Sequence, residues 1–330
     1  MTLAILLTRR AHLKILFGVI GAALRRGHAV TLVAQVRAAK PGDRLDVREL
    51  HRLWPDVPIR DTYPMEADAI IGPDAVLPDL KSIPLVGVDH FYDVWTYPAH
   101  RTDNYTLCYH SEYHRDVHRR LWPEQRHRSA VVGWTAADWA PHVPNWPARD
   151  QAVFFSLKLR VPETWRQSPA GRRAYREVYD AARARARAEG LRFVVKGRAK
   201  NGDPWWMRWG ADAYVTDAEH PAMSLSLLRR APWCVHFESG AGLEAALMGC
   251  YSIAIAVPQD HILNLPGGAL QYGGASKLHS WIGVASYGLP VDGAPSVDPV
   301  ERAKYLDFFV GPTDGKAGER VVEIAEAGSG

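Results

Sequence analysis

Apolar residues recur along the chain in short runs that alternate with longer amphipathic stretches. Residues 3–7 form an apolar run that predicts a strand, and residues 12–26 repeat apolar positions at helical spacing. Gly27 ends this helix, and residues 29–34 predict a second strand. A strand, a helix and a further strand in such close succession are typical of the start of a doubly wound parallel sheet.

The alternation continues and then begins again after a break. Residues 141–147 are rich in proline and aromatic side chains and predict a linker. We therefore expect an α/β protein with two Rossmann-like domains, residues 1–145 and 146–330, that face a central cleft. The last five residues, 326–330, are expected to fray. Further strands are predicted at 69–71, 85–88, 105–109, 130–133, 152–157 and 192–196, and further helices at 111–121, 170–189 and 224–230.

Composition agrees with a globular protein of more than one domain. The chain has 330 residues, of which 47% are hydrophobic and 23% charged. No apolar run approaches the roughly 20 residues of a membrane span. The first apolar run precedes Arg9 and Arg10, whereas a secretory signal has the opposite order. We expect a cytoplasmic protein, in the host cytoplasm if a phage encodes it, and its three cysteines form no disulfide framework.

The most informative stretch is residues 234–258. It predicts a buried strand, a tight Ser-Gly-Ala-Gly turn at 239–242, an amphipathic helix that ends at Gly249, and a second buried strand. A turn that leads into a helix directs backbone N–H groups at one point, and such a point suits an anion such as a diphosphate. Glu244 lies early in the same helix, where it is predicted to reach a ribose hydroxyl.

Four short motifs follow one another along the chain: residues 131–134 with Asp138, 154–157 with Arg160, 193–196, and 237–245. Taken in this order, they resemble the glycosyltransferases called GT-B. The nearest branch holds CDP-glycerol glycerophosphotransferases and UDP-N-acetylglucosamine 2-epimerases. The chain departs from the glycerophosphotransferase pattern where Arg198 stands near the place of a His-Pro, and where no Gly follows His90. The epimerase pattern ranks lower because its dense acidic and histidine residues are not matched.

The second domain is expected to bind the donor. Cations that follow strand ends suit the phosphates, because guanidinium and ammonium groups bind phosphate oxygens. The predicted donor-binding residues are Arg160, Lys196, Arg198, His220, His236, Glu238, Ser239, Gly240, Ala241, Gly242 and Glu244. His220 lies where GT-B proteins commonly hold the nucleobase, and His236 and Glu238 flank the turn.

The first domain is expected to supply the base that deprotonates an acceptor hydroxyl in an inverting transfer. Asp89, His90 and Asp93 follow a predicted strand, and the sequence does not choose between them. No Asp-x-Asp occurs, which fits metal-free GT-B catalysis with a nucleotide-diphosphate sugar, UDP-linked, as co-substrate and no other cofactor. The spacing of His110, His114 and His118 is interpreted as a basic helix rather than a metal site.

The sequence says less about the acceptor than about the donor. Candidate contacts are Arg9, Arg10, His12, Arg115 and Arg119. Net charge is +4 with a pI near 8.9, and the chain is similar in size and charge to phage DNA glycosyltransferases, which implies a hydroxymethylated base in DNA as acceptor. A glycerophosphotransferase or small-molecule glycosyltransferase, and a non-catalytic nucleotide- or nucleic-acid-binding protein, remain open.

Overall fold

A computed structural model describes most of the chain. The described residues are 1–35, 44–64, 66–74, 77, 82–89, 103–124, 127–157, 168–197, 203–216, 223–237, 239–256, 276–280 and 297–329. They divide into two compact units. Unit 1 comprises residues 1–142 and 307–330, and unit 2 comprises residues 143–306. None of the described helices has the length and apolar character that crossing a membrane requires.

Unit 1 is built on a parallel sheet of seven strands in the order β3-β2-β1-β4-β5-β6-β7. The central strands are buried along their whole length, which is typical of a sheet with both faces covered. The strands are β1 (Thr2–Leu7), β2 (Ala29–Ala34), β3 (Ile59–Arg60), β4 (Ala69–Pro73), β5 (Leu85–Val88), β6 (Tyr105–Tyr109) and β7 (Arg128–Val131). The helices of its first 142 residues are α1 (Arg10–Arg25), α2 (Val47–Leu53), α3 (Glu112–Leu121) and a 3-10 helix (Thr135–His142).

Unit 2 repeats this plan with a parallel sheet of six strands in the order β10-β9-β8-β11-β12-β13. In both sheets the chain starts at the centre, builds outward on one side, and then crosses to the other side. The strands are β8 (Gln151–Phe155), β9 (Arg192–Lys196), β10 (Ala213–Val215), β11 (Trp233–His236), β12 (Tyr251–Ala256) and β13 (Ser276–Ser280). The helices are α4 (Pro169–Ala188), α5 (Trp205–Gly210), α6 (Met223–Arg229), α7 (Ala241–Met248) and α8 (Pro299–Phe309), whose last three residues belong to unit 1.

The C-terminal residues pack in unit 1, although the sequence placed them in the second domain. Helix α9 (Ala317–Gly328) approaches α1 so closely that a Cβ on Gly318 would lie 2.6 Å from the backbone of Gly18. Asp138 accepts hydrogen bonds from the first N–H groups of α9, at 3.0 Å from Ala317 and 2.7 Å from Gly318. The expectation that 326–330 fray is wrong for Glu326, which pairs with Arg26 and His28.

Most predicted elements form within one or two residues of their expected bounds. The largest omissions are α9 and α8, of 12 and 11 residues. Helix α5 was missed because its sequence of three tryptophans, a methionine, an arginine and a glycine has no helical period of apolar and polar positions. Helix α2 and the strands β3, β10 and β13 were also not predicted. Short elements at the sheet edge carry too few residues for a periodic signal.

Candidate functional site

The predicted donor residues that the structure describes meet at the carboxyl edge of the unit 2 sheet. Phe155 of β8 pairs with Lys196, the last residue of β9, and Ser156 donates its backbone N–H to Lys196 O at 3.0 Å. On the other side of β8, Phe154 pairs with Val235, so His236 also ends at this edge. The point between β8 and β11, where the strand order reverses, is where open α/β sheets bind ligands.

The turn formed by Ser239 and Gly240 is half-buried, and helix α7 begins directly after it. Its N–H groups already have partners inside the turn. The N–H of Ala241 donates to Ser239 Oγ at 3.2 Å, that of Gly242 donates to Ser239 O at 3.0 Å, and Leu243 and Glu244 donate to Gly240 O. The N–H groups are therefore less bare than the sequence suggested. The positive end of the helix dipole still lies at the turn.

His236 lies beneath the turn and is fully buried. Its Nδ1 accepts the N–H of Ser239 at 3.4 Å, so the ring proton is on Nε2, which donates to Ser252 Oγ at 2.7 Å. Burial lowers the pKa of His236 to about 4, and the ring is neutral at pH 7. The sequence predicted that His236 binds the donor directly. In the structure, the His236 ring holds the turn in place and joins it to β12.

Helix α7 is buried on all sides and anchored at its far end. Arg149 donates to Gly249 O at 2.5 Å and to Met248 O at 3.2 Å, and Arg302 donates to Ala246 O at 2.5 Å and to Leu247 O at 2.7 Å. Two guanidinium groups therefore donate hydrogen bonds to the last carbonyls of the helix. Their positive charge also interacts favourably with the negative end of the helix dipole. Glu244 is 3% exposed, so its side chain does not lie on a solvated face of the helix.

Lys196 is buried, and the chain after it turns tightly. Its Nζ lies 3.4 Å from Gly197 O, and the N–H of Gly197 donates to Val215 O at 2.7 Å. A Cβ at Gly197 would overlap the hydroxyl of Tyr214, so only glycine fits here. Tyr214 donates to Asp203 at 2.6 Å; burial, followed by this bond, raises the pKa of Tyr214 to about 12.

The carboxyl edge of the unit 1 sheet is acidic. Asp89 directly follows β5 and is fully buried, and Asp74 directly follows β4 and is 1% exposed. The paired strands end with Pro73 opposite Val88, so continuing their register sets Asp74 beside Asp89. His110 Nε2 donates to the backbone carbonyl of Asp89 at 2.8 Å. Asp74 was not predicted, although the rule that drew attention to Asp89, an acid directly after a buried strand, also applies to it.

The predicted acceptor residues at the start of α1 are mostly engaged. Arg9 is exposed at the N-cap, whereas Arg10 forms an ion pair with Glu49 at 3.3 Å. His12 is buried, and its Nδ1 accepts the backbone N–H of Thr8 at 3.2 Å. Of these three, Arg9 is the residue whose side chain is most open to solvent.

The two arginines predicted on α3 also have partners. Arg115 forms an ion pair with Glu112, and Arg119 donates to Ser129 at 3.0 Å. The histidines of this helix face inward: His114 shares a hydrogen bond with Ser111 at 3.0 Å, and burial, followed by the charge of His127, lowers the pKa of His118 to about 4. Among the described residues, no group of three or more His, Cys, Asp or Glu is arranged to hold a metal ion.

Six predicted site residues lie outside the described part of the chain. They are His90, Asp93, Arg160, Arg198, His220 and Glu238.

No protein-family model and no curated protein sequence matches the chain. Solved structures match it over nearly its whole length at low identity. Methanocaldococcus jannaschii UDP-GlcNAc 2-epimerase, in complex with UDP-GlcNAc and UDP, is 12% identical with a TM-score of 0.60, covering 99% of this chain and 100% of that one. Neisseria meningitidis UDP-GlcNAc 2-epimerase bound to UDP-GlcNAc is 10% identical with a TM-score of 0.58, covering 99% and 100%.

Arabidopsis thaliana UGT89C1, complexed with UDP-L-rhamnose, is 14% identical with a TM-score of 0.52 and covers 99% of both chains. Similarity at these identities shows the fold. The chain has the two Rossmann-like domains of the GT-B fold, which confirms the predicted α/β fold class.

Proposed function

We propose that the chain is a glycosyltransferase that binds a nucleotide-diphosphate sugar at the carboxyl edge of the unit 2 sheet and transfers the sugar to an acceptor hydroxyl. The observation that carries this proposal is the placement of Lys196 and the Ser239–Gly240 turn at the strand-order reversal of unit 2. The similar epimerases and UGT89C1 were solved with UDP or UDP-sugars, which supports UDP as the nucleotide.

The diphosphate would be held by charge and by hydrogen-bond donors rather than by a metal ion. Lys196 supplies a positive charge, and the N-terminus of α7 adds its dipole. Ser239 Oγ accepts from Ala241, and no described residue accepts the hydrogen of its own hydroxyl, which can donate to a phosphate oxygen. This set of donors would stabilise the charge that develops on the leaving diphosphate.

Asp89 is the proposed general base for an inverting transfer, with His90 and Asp93 as the alternatives from the sequence. Its position directly after β5 places it at the edge where a Rossmann-like unit binds ligands. Because Asp89 is fully buried in the structure, an acceptor must reach it through a rearrangement of the surrounding residues.

A narrower proposal concerns the acceptor. A hydroxymethylated base in DNA is suggested by the charge and aromatic content of the chain, with a polyol phosphate or another small molecule as the rival. The test is transfer of radiolabelled sugar to DNA that contains hydroxymethylcytosine, compared with unmodified DNA of the same sequence. Labelling of neither would reject DNA as the acceptor, and equal labelling of both would reject the hydroxymethyl group as the site of transfer.

Epimerisation of a nucleotide sugar is a second candidate function. Its specific support is the side-by-side placement of Asp74 and Asp89, because two adjacent carboxylates can act as a proton acceptor and a proton donor. The two functions differ in their need for an acceptor. An epimerase converts UDP-GlcNAc to its C2 epimer unaided, whereas a transferase releases UDP in proportion to acceptor.

The deciding experiment combines binding and turnover. A thermal-shift screen of nucleoside diphosphates and their sugars identifies the donor, because a ligand of the native state raises the melting temperature. The stabilising donor is then incubated with and without acceptors, and the products are followed by NMR. Binding without any conversion would indicate a nucleotide-binding protein that is not an enzyme. If no nucleotide stabilised the chain, the proposed donor site in unit 2 would be rejected.

A further inference from the structure

The positive charge of the chain is concentrated in unit 2. Residues 143–306 hold 20 Lys and Arg against 15 Asp and Glu, a net charge of +5. The other 166 residues hold 20 against 21, a net charge of −1. The sequence alone suggested two halves of similar charge, because it placed the acidic residues 307–330 in the second domain. A polyanion is therefore attracted to unit 2 rather than to unit 1.

In unit 1, the groove beside α3 is acidic, although the sequence predicted a basic helix there. The described residues around α3 form a groove of about 650 Å³ whose rim carries Glu112, Asp116 and Asp307 beside the single cation Arg120. Arg115 is already paired with Glu112. The acidic rim makes this groove a poor docking surface for a polyanion.

Two tryptophans project from unit 2. Trp205 is 72% exposed and Trp209 is 84% exposed, the highest exposures among the large hydrophobic side chains of the described residues. They lie at positions i and i+4 of α5 and so share one face of the helix. Large apolar side chains this open to water usually mark an interaction surface.

Helix α4 packs against α5 through Trp206, the residue next to Trp205, and carries arginines on the same side. Trp206 and Met207 turn inward: Trp206 packs against Tyr175 and Tyr179, and the guanidinium of Arg176 lies over its ring at 4.5 Å. Arg172 and Arg173 precede Arg176 by one helical turn and are exposed. No ion pair among the described residues engages either of them.

We propose that the exposed faces of α4 and α5, with Trp205, Trp209, Arg172 and Arg173, form a binding surface for single-stranded nucleic acid. Exposed indole rings stack on bases of any sequence, and neighbouring arginines bind the phosphates. A bilayer surface fits less well, because an interfacial helix presents a broad apolar face, whereas α5 has six residues and projects two indoles beside the exposed Arg208. The proposal does not depend on the nucleotide-sugar site.

The test is fluorescence anisotropy of a labelled oligo(dT) with the full chain over a range of salt concentrations. We expect binding that weakens with salt. The double variant Trp205→Ala/Trp209→Ala should bind at least about tenfold more weakly, because each stacked base contributes appreciably to affinity. Trp205→Phe/Trp209→Phe should keep most of the affinity. Arg172→Gln/Arg173→Gln should lower the slope of log K against log salt by about 0.7 for each phosphate that the variant no longer neutralises.

Matched controls separate stacking from other effects. Trp146→Ala removes a tryptophan of unit 2 that is 47% exposed and lies in the irregular segment before β8, and it should leave oligo(dT) binding unchanged. Heparin should bind the alanine double variant as well as it binds the unmodified chain, because heparin has no bases. Unchanged oligo(dT) affinity in that variant would overturn the proposal. So would binding to phosphatidylserine vesicles in the absence of oligo(dT) binding.

Discussion

The two sheets share a strand order but carry opposite chemistry at their carboxyl edges. In unit 1 the strands β4 and β5 end in Asp74 and Asp89, and in unit 2 the strand β9 ends in Lys196, with Ser239 after β11. The same topology determines where polar groups accumulate, since parallel strands end together. Which groups accumulate depends on single residues after each strand. Function therefore depends on these residues rather than on the fold that both units share.

Substitutions at the carboxyl edges of the two sheets are expected to change different quantities, kcat for unit 1 and donor affinity for unit 2. Asp89→Asn should lower kcat roughly 100-fold or more while leaving the affinity for the donor unchanged, because it removes a base and not a phosphate contact. Lys196→Met should weaken donor binding about tenfold or more, because it removes a buried cation. Calorimetric titration with the donor, together with turnover, measures both effects. If both variants were impaired in donor affinity alone, the edges would not have separate roles.

Helix α7 offers a second way to test the unit 2 edge. Arg302→Met should lower the free energy of unfolding by about 3 kcal/mol, because two carbonyls at the end of a buried helix lose charged donors. Arg302→Lys, which can keep one bond, should lose less. Urea unfolding followed by tryptophan fluorescence measures the difference. Equal stability of the Met variant and the unmodified chain would mean that water replaces the guanidinium.

The packing of α9 can be tested in unit 1. Gly318→Ala should cost about 1–3 kcal/mol, because the new Cβ would lie 2.6 Å from the backbone of Gly18 and the helices must separate. Gly328→Ala on the same helix is the control, since its Cβ would meet Pro84 at an ordinary 3.6 Å. The melting temperatures of the two variants measure this difference. Similar values would show that α9 does not pack this tightly against α1.

Lowering the pH should destabilise both units, through His118 in unit 1 and His236 in unit 2. Burial is the main cause that lowers the pKa of His236 and of His118 to about 4, whereas an unfolded histidine titrates near 6.5. Between these pH values the unfolded chain binds more protons than the folded chain. The free energy of unfolding therefore decreases as the pH is lowered, by about 1.4 kcal/mol per pH unit for each histidine. Above about pH 6.5 the effect vanishes.

Substitution isolates each contribution to this acid sensitivity. His236→Gln and His118→Gln should each flatten the dependence of the unfolding free energy on pH between about 4 and 6.5, whatever they do at pH 7. Urea titrations at several pH values give the slopes. Slopes that match the unmodified chain would indicate that these rings are protonated in the folded protein.

Most of the fold could be predicted from local patterns. The apolar runs of β1, β2, β5, β6 and β9 and the periods of α1, α3 and α4 indicate strands and helices without knowledge of their neighbours. The turn at 239–242 was also visible, because Ser and Gly after a buried run are typical of a strand-to-helix turn. Helix α5 was missed because it lacks such a period.

The roles within the site were harder to predict. His236 looked like a ligand contact because it borders the turn, yet its bonds to Ser239 and Ser252 make it a support. Asp74 became a candidate site residue only because the register of β4 and β5 places it beside Asp89. A partner sixteen residues away in the chain, or on another strand, leaves no local pattern in the sequence.

By itself, the sequence determined the two parallel sheets, the ends of their strands and the turn that opens α7, because these follow from the period of apolar residues within about ten to twenty positions. Tertiary structure alone decided that residues 307–330 complete unit 1 and that the net positive charge therefore lies in unit 2. It also decided that Glu244 and His236 are buried. Packing and burial depend on residues far apart in the chain, so no local pattern records them.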